Sequence, residues 1–153
     1  MDDAIQKTKP GWRTRFLTGA ARMRSTRAEQ EEAQFISFIA RVVRPAFSEI
    51  ARRLAKQGRV VSMQETRAAC GVSVTNGTIE EIGFRITSLS LPTAIAPEVE
   101  VKMHERKGLR IVRKTVPLRR GETIIRSLAD VASEDIVEAF FFHYADALAR
   151  LEP

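Results

Sequence analysis

The sequence predicts an α+β fold: a long N-terminal helix, an antiparallel β-meander of four to five strands, and C-terminal helices packed on one face of the sheet. Three observations carry this prediction. Apolar residues recur every three or four positions from Phe35 to Leu54, alternate with polar ones through the middle of the chain, and return to helical spacing after Ser133. Asn76-Gly77 stands between two alternating segments, a strong short-range hairpin signal because both turn positions of the favoured type need positive φ. With 153 residues, 44% apolar and 29% charged, the chain is long enough for one domain with a real core and short for two. This composition excludes a collagen-like chain and a wholly disordered one. No run of about 18 apolar residues occurs, which excludes a membrane-spanning helix.

Residues 1–25 read as a basic arm with Pro10, Gly11 and Gly19 and no sustained period, expected to be disordered. Residues 26–153 read as a single α+β domain. Thr26 and Glu29 have the spacing of a capping box at the start of the long helix. Phe35, Ile39, Val42, Val43, Ala46, Ile50 and Leu54 then form one amphipathic face. Pro45 predicts a kink near residues 41–44 or two abutting helices, and Gly58 is placed to cap the end. Phe38 and Phe47 fall off the main stripe, so more than one side of the helix is expected to be covered, by the sheet and by a second subunit.

Val60, Val61 and Met63 begin the strands; Val72 and Val74 lead into the Asn-Gly turn, and Ile79, Ile82, Phe84 and Ile86 follow it. Residues 89–96 read as an apolar loop closing over the core. Val99, Val101 and Met103 alternate with Glu98, Glu100, Lys102 and His104. Arg106-Lys107-Gly108 turns the chain into a last strand ended by Pro117. Residues 122–132 are expected to form a short helix, and Ser133 to cap a longer one carrying Ile136, Val137, Phe140, Phe141, Tyr144, Leu148 and Leu151.

Charge is uneven along the chain. Residues 1–27 carry seven Lys/Arg against two Asp, and residues 58–120 eleven against six, while residues 121–153 carry two against seven acids. Between 102 and 120, Lys102, Arg106, Lys107, Arg110, Arg113, Lys114, Arg119 and Arg120 face one acid, Glu105. Such a patch suits phosphates or an acidic protein surface. Two structural readings compete: the cations keep a strand edge soluble, or the acidic C-terminal segment lies against them.

Chemistry of recognisable local pattern is missing. Neither a P-loop nor a dinucleotide fingerprint is present. His104 and His143 lie on different elements, the first at an exposed strand position, and one cysteine leaves a zinc site short of thiolates. Gly71-Val72-Ser73-Val74-Thr75 starts like a nucleophile elbow but lacks its second glycine and precedes a hairpin. Cys70 reads as a buried, inert thiol. Glu80 and Glu81, adjacent on a strand, point to opposite faces and cannot share a substrate. No catalytic residue, metal site or small-molecule cofactor is assigned.

The expected function is therefore non-catalytic: a binding or assembly protein, homodimeric through the long helix, at Phe35, Phe38, Ile39 and Phe47, or through a sheet edge. Its anionic partner is engaged by Arg13, Arg15, Arg22 and Arg24 of the arm and by the eight cations between Lys102 and Arg120. An acidic protein and a nucleic-acid backbone, bound without sequence readout, are the two partner classes, with a small enzyme built from distant residues as a further alternative. Trp12, Phe16 and Leu17 among the arginines also permit docking of the arm on a membrane surface. A chain with one cysteine and no secretory h-region is expected in the cytoplasm.

Overall fold

A computed structural model of the chain describes residues 26–106 and 109–152. The expected arm, with Arg13, Arg15, Arg22 and Arg24, and the turn residue Lys107 lie outside the described residues. The fold is α+β, as the periodicity predicts. Helix α1 runs over residues 26–55. Strands β1 (Val60–Glu65), β2 (Ala69–Asn76), β3 (Ile79–Ser90), β4 (Ile95–Glu105) and β5 (Arg110–Pro117) form one antiparallel sheet in sequence order, and helix α2 (Ser133–Leu151) packs on the same face as α1. Two edges remain, β1 and β5.

Pro45 shapes α1 in a specific way. Its ring removes a backbone donor and crowds the carbonyl one turn back. The helix widens immediately before it: Ile39–Val43 is a π turn, closed by the Arg44 N–H donating to the Ile39 carbonyl. At the far end Gly58, at φ 79°, lets the Arg59 N–H reach the Leu54 carbonyl at 3.1 Å while its own N–H reaches Ala55, a Schellman closure at the expected glycine.

The sheet's inner face carries Val72, Val74, Ile82, Phe84, Ile86, Val99, Val101 and Met103, all buried. Phe84 joins the layers, meeting Phe47 of α1 edge-on at 6.2 Å and Phe140 of α2 at 5.4 Å. Phe35, Phe38, Ile39 and Phe47, singled out for self-association, belong to this same core and are at most 5% exposed. The chain's own sheet and second helix cover them, so these side chains are not on offer to a second copy.

Three other local expectations are corrected. Residues 122–132 are not a helix: Arg119–Arg120 and Thr123–Ile124 pair as a small hairpin around Gly121, followed by a 3-10 turn at Leu128–Asp130. The β-branched run Thr123-Ile124-Ile125 favours extended backbone, and the Ile125 N–H binds the carbonyl of buried Leu118. Ser133 is the first residue of α2 rather than its cap; Ala132 caps, its N–H held by the Asp135 carboxylate, and the Ser133 hydroxyl donates instead to the Val42 carbonyl in the π turn. The apolar loop shortens to residues 91–94, because β3 and β4 extend through Ser90 and Ile95. Arg27 and Glu31 of α1 hold that corner, bonding the Leu91 carbonyl and the Ser90 hydroxyl.

One irregularity positions a functional group. In the β2–β3 ladder Val74 faces Ile82 while Thr75 faces Glu80, leaving Glu81 as an extra residue. The bulge turns Glu81 inward beside Ile82, and both are buried.

Candidate functional site: the β5 edge and its flanks

The β4–β5 hairpin divides its cations between two faces by strand alternation. Lys102 and Arg113 are cross-strand neighbours on the open face, and Lys114, opposite buried Val101, points to the helix side. Intramolecular acids hold part of the set. Arg120 is locked by a bidentate pair with Asp135 at 2.7 and 2.9 Å and by the Asp130 carbonyl. Lys102 Nζ lies 2.8 Å from Glu80, and Lys114 stands at a looser 3.8 Å from Asp146. Arg110 reaches only Glu105, at 3.7 Å, and Glu105 is also bonded by Arg150 of α2. Arg106 ends β4 in a left-handed conformation, φ 54°, and is exposed. Arg113 and Arg119 have no ion-pair partner among the described residues, and both are exposed. The acidic terminal helix thus neutralises Arg120 and part of Lys114. It leaves Arg106, Arg113 and Arg119 facing solvent.

The open face of the sheet is a shallow trough of about 590 Å³. It exists because Gly71 and Gly83 put no side chain there while Arg85, Glu100, Lys102, Arg113 and Thr115 rise around them. Arg85 and Glu100 pair across strands at 2.6 Å. Beside them a polar cluster gathers on Glu80. Its carboxylate accepts from Ser73 Oγ at 2.5 Å and Lys102 Nζ at 2.8 Å, and His104 Nε2 lies 2.8 Å away. His104 is therefore not at an exposed position: its side chain is 14% exposed and rests against Glu80.

Serine, histidine and glutamate here invite comparison with a hydrolytic triad, but the order of contacts is wrong. A triad needs the histidine between nucleophile and carboxylate. In this cluster the carboxylate is central, and the serine proton points at it. Burial works to raise the Glu80 carboxyl, yet hydrogen bonds from Lys102, Ser73 and His104 outweigh it and hold the group at about 2, too acidic to serve as a base near neutrality. The cluster reads as a neutralised structural knot. Alternation predicted that Glu80 and Glu81 part company, and they do: Glu81 lies on the inner face, bonded by Tyr144 at 2.6 Å and by Arg59. Cys70 is fully buried with its thiol pushed up to about 11, chiefly by desolvation. No group of three His, Cys, Asp or Glu among the described residues could hold a metal ion.

On the other flank of β5, between the strand and α2, a groove of about 410 Å³ opens. Val99, Val116, Pro117, Ala139 and Phe142 form its apolar walls, and Lys114, Arg119, Glu138 and His143 are its polar members. Phe142 is 72% exposed. Sequence reasoning passed over this groove, although Phe140-Phe141-Phe142 held a signal. Consecutive helical residues are about 100° apart, so three aromatics in a row cannot all face one core.

Compared with family models, with curated proteins and with solved structures, the chain matches none.

Proposed function

We propose that this is a non-catalytic binding protein that engages an acidic, extended polypeptide segment along the β5 edge. The observation that carries the reading is an unpaired strand edge, Arg110–Pro117, on which Arg113 has no ion-pair partner among the described residues and Arg110 only a loose one, Glu105 at 3.7 Å. A strand edge offers free backbone donors and acceptors, which a peptide can satisfy and a nucleic acid cannot. Like charge disfavours the edge pairing with its own copy, whereas acidic residues opposite Arg113 would gain from it. Nucleic acid would meet the same cations without a base-stacking platform on the sheet, since among the described residues its one aromatic, Phe84, faces the core. A homodimer would use the other edge, where Val60 and Met63 are 63% and 49% exposed, rather than the internal faces of α1. The expected compartment is the cytoplasm.

The test is a fluorescence-anisotropy titration with an acetylated peptide of alternating Glu and Val, run across a salt series. Binding that weakens with salt and falls about tenfold in the Arg110→Glu/Arg113→Glu double variant supports the reading. A duplex oligonucleotide binding tightly where the peptide does not would move the assignment to nucleic acid.

A further inference from the structure

We propose that the groove between β5 and α2 is a separate binding site for a small amphiphilic carboxylate, its head group held by Arg119 and Lys114 and its tail laid along Val99, Val116, Ala139 and Phe142. Val99, Val116, Pro117, Ala139 and Phe142 supply the apolar part of the lining, and Phe142 stands exposed, an uncovered aromatic of the kind that marks binding surfaces. At about 410 Å³ the groove lies in the lower range of small-ligand sites.

His143 is the second observation. It lines the groove, is only 7% exposed, and its Nδ1 is sealed from solvent without a hydrogen-bond partner. Buried polar atoms are nearly always paired, so an exception calls for an explanation, and a bound water, ion or ligand is one. Desolvation holds this imidazole below its ordinary value, with Lys114 acting in the same direction and Asp146 against it. Burial favours the neutral ring, which keeps one N–H donor, and Nδ1 can offer it to an anion only where binding displaces the groups that now cover it.

Charge selects the class of ligand. Arg119 has no ion-pair partner among the described residues, and Lys114 is only loosely engaged by Asp146. Among the described residues Glu138 is the one acid lining the groove, and it is exposed. The balance favours a single negative charge over a cation, and the apolar wall favours a ligand with a hydrocarbon tail over free phosphate. The basic N-terminal residues of this chain are poor occupants, because they would add cations to cations.

The experiment is an NMR titration of the full chain with sodium decanoate below its micellar concentration, in parallel with decanol and decyltrimethylammonium. Saturable shifts confined to residues around Phe142 and His143 are expected, with decanoate binding about tenfold more tightly than either comparison ligand. Arg119→Glu should remove that preference, and bound decanoate should raise the pH at which the His143 ring titrates. Arg110→Glu/Arg113→Glu, which disables the proposed peptide edge, should leave decanoate binding unchanged. Equal binding of decanol and decanoate, shifts scattered over the open face, or no saturation would each overturn the proposal.

Discussion

Glu81 is carried into the core by a one-residue irregularity, and it stays charged there because Arg59 and Tyr144 donate to it. Burial acts to raise its carboxyl, but those hydrogen bonds win and hold it below the ordinary value; burial pushes the Tyr144 phenol up to about 12, and the contact with Glu81 acts in the same direction. A carboxyl lowered by folding contributes stability that is complete above its unfolded value, about 4.3, and is lost as pH falls through the folded one. Arg59→Met should therefore cost about 3 kcal/mol at pH 7, since it strands a buried charge. The difference from the parent protein should shrink by pH 3, where Glu81 protonates in the variant. Urea unfolding at the two pH values checks this, and a pH-independent difference would mean the pair is not the source. Cys70 gives a second residue-scale prediction: with its thiol buried and raised to about 11, it should react with a disulfide reagent only as fast as the protein opens. Alternation was enough to separate Glu80 from Glu81 in the sequence. Nothing in Glu80-Glu81-Ile82 announces the bulge, because it depends on the register of the partner strand.

At the scale of elements, the turns show where local pattern suffices and where it does not. Asn76-Gly77 marked the β2–β3 hairpin correctly, but the two central positions are Gly77 and Thr78, since Asn76 still pairs with Ile79. Only Gly77 has positive φ, 65°, as a type II′ turn requires; the sequence reading needed it at both positions. Gly77→Ala should cost about 1 kcal/mol, and Thr78→Gly, which would help a turn with two left-handed positions, should bring no gain in thermal unfolding. The α1 stripe, the β4 alternation and the α2 stripe were legible because each turns a regularly spaced apolar row toward the common core. Residues 119–132 were not: a buried Leu118 and a tight glycine turn override a stretch that could equally be written as a helix. Phe84 ties the sheet to both helices, so Phe84→Ala should cost about 3–5 kcal/mol, measured by denaturant unfolding, and loosen both helices.

For the whole molecule, the charge map in the sequence was right in outline and incomplete in detail. Acids of the C-terminal segment do meet the basic stretch, at Arg120–Asp135 and Lys114–Asp146, yet they leave Arg113 and Arg119 outward on opposite sides of β5. Which cations end up neutralised depends on where α2 crosses the sheet, and composition does not encode that crossing. Nor could it reveal the groove, whose walls come from residues far apart in the chain. The central claim is that β5 is an available, cationic strand edge. Hydrogen exchange on β5 amides, with and without the alternating Glu–Val peptide, tests it most directly. The account predicts that the amides pointing away from β4 exchange freely in the protein alone and become protected on adding peptide, with the protection lost in Arg110→Glu/Arg113→Glu. Amides already protected in the free protein, or unchanged at saturating peptide, would contradict it.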